Sequence, residues 1–275
     1  MNTLIRKELR EIRIIPLGMT ILFILANICW ALWDFQERRG AHPEFLPFSV
    51  NALLGMGMVC CFISSALCGS SLFCGEIGSG TLSFLTMLPV RRNTIWLSKV
   101  IAGLTGVFTT FFGVLSVSAI TSLAHENGAA QLHTVLGALH DPSTFWTSLG
   151  SPVLIAIGCF AVSLTVSLLL DGALASALLS IAACICVPGV VAETINLATG
   201  YFLTNSTFVA LVSWILMSLI PPAFFAASFY IFVNGETLRS KKRFLLLGKS
   251  LALWALVSAI VAAGMYLSLP AKTIS

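Results

Sequence analysis

GEIGSGTLSFLTMLPVRR, residues Gly75 to Arg92, stands between two long runs nearly free of charge, Phe48–Phe73 and Val100–Leu123. Each run is long enough to cross a bilayer as a helix, which takes about 20 mostly apolar residues. A polar, sharply turned stretch between two such runs must sit in water at a membrane face. Its own pattern is compact. Gly75, Gly78 and Gly80 loosen the end of the preceding run, and Thr81 can cap a short helix, LSFLTML, with its hydroxyl on an early amide. Leu82, Leu85 and Leu88 are spaced by three and line one narrow face. Pro89 ends the helix, because proline lacks an amide donor and restricts the residue before it. Glu76 flanks the helix on one side, Arg91 and Arg92 on the other. The chemistry fits a docking element and fits equally a solvated hairpin that touches nothing.

The rest of the chain follows from the same alternation. Of 275 residues, 57% are hydrophobic and 9% charged, against roughly 25% charged in soluble domains. The composition predicts an all-α integral membrane protein, a polytopic bundle of six to seven transmembrane helices. The spanning runs are Leu17–Trp33, Phe48–Phe73, Val100–Leu123, Leu149–Leu170, Ala173–Ala192, Phe208–Val233 and Leu251–Leu269. Pro221–Pro222 in the sixth predicts a kink. Lys and Arg collect on inner loops. With the N-terminus inside, twelve basic residues lie inside (Arg6, Lys7, Arg10, Arg13, Arg91, Arg92, Lys99, Arg239, Lys241, Lys242, Arg243 and Lys249) and three outside (Arg38, Arg39 and Lys272). Residues 75–92 are then cytoplasmic. The seventh run puts the C-terminus outside, unless the fifth is re-entrant.

The first sixteen residues, MNTLIRKELREIRIIP, are charged with both signs and are no cleavable leader. Ile5, Leu9 and Ile12 fall on one helical face, with Arg6, Lys7, Arg10 and Arg13 around the rest. This predicts a helix in the membrane interface, apolar side down and cations among the headgroups, broken by Pro16. Residues 1–16 are thus an interfacial segment, and 17–275 the transmembrane domain. A plain charged tail is the simpler alternative.

Several chemistries find no support. Every Lys and Arg falls outside the runs as drawn, whereas ion-coupled carriers keep ionisable groups at membrane depth. Gly248-Lys249-Ser250 is a fragment of a phosphate loop, but the glycine required five positions earlier is Arg243. There is no HExxH. His125, His133 and His140, with Glu126 and Asp141, share one outer loop in no strong metal spacing. The eight cysteines lie in or beside apolar runs without a CxxC pair and read as packing. No basic face of the kind that binds nucleic acid is present. The expectation is a chain with no catalytic, metal or cofactor site of its own.

The pattern Glu76-x3-Gly80-Thr81-Leu82-x2-Leu85-x3-Pro89-x-Arg91-Arg92 resembles the segment between the second and third spans of type-2 ATP-binding-cassette (ABC) transporter permeases. LIRKELRE, Leu4 to Glu11, is similar to the elbow helix that opens those permeases. The resemblance implies an exporter-like permease of a bacterial inner membrane, working as two permease copies or homologues with two separately encoded cytoplasmic ATPases that carry ATP and Mg. It implies that Glu76, Gly80, Thr81, Leu82, Leu85, Pro89, Arg91 and Arg92 belong to a coupling helix that docks on the ATPase. The family commonly has six spans, so the run Leu251–Leu269 departs from it. The apolar spans favour a hydrophobic or amphipathic cargo. Two readings compete: a membrane-embedded enzyme, and an anchor or sensor subunit that binds an ATPase without transporting.

Overall fold

From Ile14 to Trp33 the chain carries no charged residue, and this stretch forms most of the first long helix. The computed structural model describes residues 2–39, 50–78, 91–123, 137, 150–170, 174–182 and 206–234. They form α1 (Asn2–Ile12), α2 (Ile14–Arg39), α3 (Val50–Gly78), α4 (Arg92–Leu123), α5 (Ser151–Ser167) and α6 (Ser206–Asn234). Residues 174–182, the start of the fifth apolar run, are also helical. There is no strand among the described residues. The protein is an all-α polytopic membrane protein. Among the described residues three helical stretches, Ile5–Trp30, Gly55–Cys74 and Arg92–Leu123, are long and apolar enough to cross a membrane, and Pro152–Ser167 and Ser218–Asn234 are shorter apolar helices. The seventh run, Leu251–Leu269, lies outside the described residues.

The break between α1 and α2 falls at Arg13, three residues ahead of Pro16. Proline interferes with the carbonyl four residues before it, here that of Ile12, rather than with its own position. Pro16 therefore stays helical while the disturbance appears one turn earlier. The amide of Arg13 still donates to Leu9 O at 3.1 Å and that of Leu17 to Arg13 O at 3.3 Å. α6 likewise continues through Pro221 and Pro222. Just beyond them, the Thr165 hydroxyl of α5 lies 3.1 Å from Phe224 O and 2.9 Å from its own Ala161 O, its single proton shared between the two carbonyls.

Contacts along the helices give their directions. α2 and α4 run one way, α3, α5 and α6 the other. Gly106 of α4 faces Cys68 of α3, Thr110 faces Ser64, and Val114 faces Gly57. The thiol of Cys74 donates to Leu170 O at 3.2 Å, so α3 and α5 finish at the same end. At that end too lie α1, the start of α4 and the end of α6. An even number of crossings separates the N-terminus from residues 75–92, as the sequence reading requires.

Helices in lipid gain little from apolar burial against one another and associate through close packing and interhelical hydrogen bonds. The bundle follows that rule along one stripe of α4. A Cβ on Gly103 would meet the Phe160 ring of α5 and Leu72 of α3. One on Gly106 would meet Cys68 and Ile12, and one on Gly113 would meet Thr20 of α2. Between them Thr110 and Ser64 share a 2.7 Å hydrogen bond. α3 and α5 come closest at Gly69, where a Cβ would lie 2.6 Å from Ser163 Cβ and 2.7 Å from Phe160 O. Backbone cannot step aside there. Buried hydroxyls and amides mostly bond to their own helix, as Asn27 does to Phe23 O at 2.7 Å and Ser65 to Cys61 O at 2.8 Å. The described cysteines form no disulfide with one another, and all but Cys29 are buried, in keeping with a packing role. Overpacking a close crossing costs about 1–3 kcal/mol. Gly69→Ala should therefore lower the melting temperature of the purified chain in detergent. Gly158→Ala, whose Cβ would meet Ile220 at an ordinary 3.7 Å, should leave it nearly unchanged, and equal shifts would contradict this account of the crossing.

Candidate functional site

The two helices that frame residues 79–90 are held at their bases by buried charge. Lys99 lies two turns into α4 and is 1% exposed. Its Nζ donates to both carboxylate oxygens of Glu8 in α1, at 3.1 Å each, and to Leu72 O in α3 at 2.9 Å. Glu76 Oε1, at the end of α3, lies 3.0 Å from the same ammonium. The ring of Phe73 sits 5.3 Å away, within cation–π range. Lys7 approaches Glu76 at 3.8 Å from the rim while also facing Glu11 on its own helix at 3.8 Å.

Sequence reading puts Lys99 in a water-facing stretch ahead of a span beginning at Val100. The structure corrects this. α4 starts at Arg92, so Lys99 is inside one of the long apolar helices, near its base. The reason is local. Arg91 O accepts from the amides of Thr94 at 2.9 Å and Ile95 at 3.3 Å, so the helix is already wound before the apolar run begins. The expectation that no cation lies within a spanning helix fails at Lys99.

α1 shows why a partner waits for it. Its buried side is formed by Ile5, Glu8, Leu9 and Ile12, and packs chiefly on α4. Ile12 belongs to the central apolar cluster and touches Gly106. The apolar side of the elbow thus meets protein, while Arg6, Lys7, Arg10, Glu11 and Arg13 are exposed. Just beyond, Ile14 (72%) and Leu17 (57%) begin the exposed apolar surface of α2. Glu8 escaped the sequence reading, although it stands three residues after Ile5, on the helix face with Leu9 and Ile12. A carboxylate among those apolar positions was the signal that a cation from elsewhere in the fold meets it.

Of the residues assigned to coupling, Glu76 is in the ionic cluster. The Nη1 of Arg92 donates to Val233 O at 3.0 Å. That carbonyl is in the last turn of α6, where four carbonyls have no helical partner and the dipole favours a cation. Arg91 is exposed. Gly80, Thr81, Leu82, Leu85 and Pro89 lie outside the described residues, as do His125, His133 and His140. Next to Arg92, Trp96 packs edge-on to Phe229 (5.2 Å) and Phe225 (6.4 Å) of α6. The residues flanking segment 79–90 are thus tied, Glu76 to α1 and α4 and Arg92 to α6. No group of three or more potential metal ligands occurs among the described residues.

Compared with known families, residues 6–187 match the ABC-2 family transporter proteins. The match covers more than half of the 275 residues. This chain belongs to the ABC-2 transporter family. No curated protein and no solved structure matches it. The matched region contains most of α1, segment 79–90 and every member of the ionic cluster. An ABC-2 transporter protein is the membrane component of a transport system, and the bundle described above is that component.

Lys99 and its partners make a stability test. Removing one member of a buried ion group costs about 3–5 kcal/mol, because the remaining charges stay buried without compensation. Lys99→Met should lower the melting temperature sharply. Adding Glu8→Gln and Glu76→Gln to it should recover much of the loss, since no buried charge then remains. Simple additivity of the three substitutions would show that the ions act separately.

Proposed function

We propose that this chain is the permease subunit that couples a separately encoded cytoplasmic ATPase to export of a hydrophobic or amphipathic substrate. The observation that carries the reading is the bracing of segment 79–90. Glu76 at one end is held by α1 and α4, and Arg92 at the other is fixed to α6. A load applied to the short helix between them would reach four helices at once. Family membership supplies the nature of the load, since an ABC transport system draws on ATP hydrolysis. In this reading Leu82, Leu85 and Arg91 face the ATPase, Thr81 and Pro89 delimit the docking helix, and Gly80 frees its start. Glu76 and Arg92 anchor the segment from behind.

The working unit would be two permeases, identical or homologous, with two ATPases that hold ATP and Mg, this chain holding none. Its N-terminus would be cytoplasmic and the membrane a bacterial inner membrane, with Arg6, Arg10 and Arg13 among lipid headgroups. Nucleotide would bias the bundle between inward- and outward-facing states. The apolar spans favour a lipid-like or hydrophobic cargo.

Docking should be tested at Leu85, because substituting Glu76 would also disturb the internal cluster. An unpartnered charge in an apolar contact costs several kcal/mol. Wild-type chain purified with candidate ABC ATPases should retain one, and Leu85→Asp should lose it while keeping the wild-type melting temperature. Retention by both proteins would remove segment 79–90 from the interface. Retention by neither would leave coupling without support.

A further inference from the structure

We propose that Lys99 is a positioning residue, the post of a rigid ionic joint that makes the elbow helix and the base of the coupling segment move as one body. The proposal rests on the coupling reading above for the source of the motion, and on separate geometry for the joint. Glu8 comes from α1, Glu76 from the last turn of α3, and Lys99 from the second turn of α4. These three helix ends are far apart in sequence and adjoin the segment taken to receive the load. Lys99 is 1% exposed and Glu8 is 2% exposed, so water cannot replace either partner without the packing being opened. Glu76 is largely shielded, its side chain 13% exposed.

The packing around the ions points the same way. Ile12, one turn beyond Glu8, fits against the bare backbone of Gly106 and beside Cys68. Lys99 also bonds the carbonyl of Leu72, whose own side chain lies against the Gly103 position. Ion contact and close packing thus occupy consecutive turns of α4. Sliding α1 along α4 would break both together. Displacement at residues 79–90 would be delivered to α1 through Glu76 and Lys99, and from α1 directly into α2 across the Arg13 break. Lys7, exposed and 3.8 Å from Glu76, guards the open side of the joint.

The joint can be read as a distance. Genetically encoded spin labels at Arg10 in α1 and Asn93 in α4, both exposed or partly so, report the separation of elbow and coupling base in the full chain. In wild-type permease bound to its co-purified ATPase, the 10–93 distance should be single, narrow and the same without nucleotide and with ATP trapped. In a Glu8→Gln/Lys99→Met/Glu76→Gln variant, which leaves no buried charge unmatched, the distance should broaden and become nucleotide-dependent while the ATPase remains bound. A merely stabilising cluster would change the melting temperature but not the nucleotide dependence. A wild-type distance that shifts on ATP trapping would overturn the proposal, since the joint would then be a hinge. So would a triple variant that keeps the narrow, unchanging distance. The wild-type comparison decides alone if the triple variant does not assemble. If no ATPase is retained by wild type, the coupling reading fails separately. The width of the distance in the chain alone then decides the joint, narrow in wild type and broad in the variant upholding it, equal widths overturning it.

Discussion

Lys99 is a lysine side chain placed where almost no water reaches, and the bases of α1, α3 and α4 are arranged around that fact. For charges about 3 Å apart at an effective dielectric near 20, each attraction is of order 5 kcal/mol. Leaving water costs each ion several kcal/mol as well. Gain and loss are similar in size, so the cluster adds little net stability. Its effect is on arrangement. Any shift of α1 that separated Glu8 from Lys99 would keep the cost of burial and lose the attraction. The elbow is therefore held in one register against α4.

That register agrees with the packing that follows it. A stripe of Gly103, Gly106, Thr110 and Gly113 lets α5, α3, α1 and α2 each approach α4 closely. In a bilayer such approach is the main source of helix association, since lipid tails are as apolar as leucine. The ions fix which residues meet, and the small residues let them meet closely. Neither alone would specify the bundle: a glycine stripe permits sliding, and an ion cluster at one end leaves the far ends unrestrained. At the opposite side of the turn, Arg92 extends the constraint to α6 through the carbonyl of Val233.

Much of this was legible in the chain. Charge-free runs locate α2 through α6, because a bilayer selects spanning helices by length and apolarity above all else. The elbow was visible as Ile5, Leu9 and Ile12 on one face. The ends of the elements were less so. Pro16 marked a break, but its effect acts on Ile12, one turn back, which counting apolar residues does not show. Arg92 looked like half of a basic pair facing outward, yet it caps α6, a helix more than a hundred residues later. Lys99 and Glu8 looked like ordinary surface charges, because a hydropathy reading treats each ion by itself. Their pairing is a tertiary fact. The local clue was Glu8 interrupting the apolar side of α1. The docking role proposed for Leu82 and Leu85 rests on spacing and on family likeness.

A buried lysine between two glutamates inside a membrane protein resembles, in composition, the ion-binding or proton-relay sites of carriers. The geometry argues for a fixed structural ion instead. A lysine ammonium has three donors and no acceptor. The two oxygens of Glu8 and the carbonyl of Leu72 accept from it, and Glu76 adds a third carboxylate oxygen at contact distance. No donor is left for a passing group unless a helix moves. The cluster also lies at the base of the bundle, where α3 ends and α4 begins, not midway along the long helices. Placed there on α4 and saturated by partners from α1 and α3, Lys99 is suited to carrying force between these three helices rather than charge across the membrane.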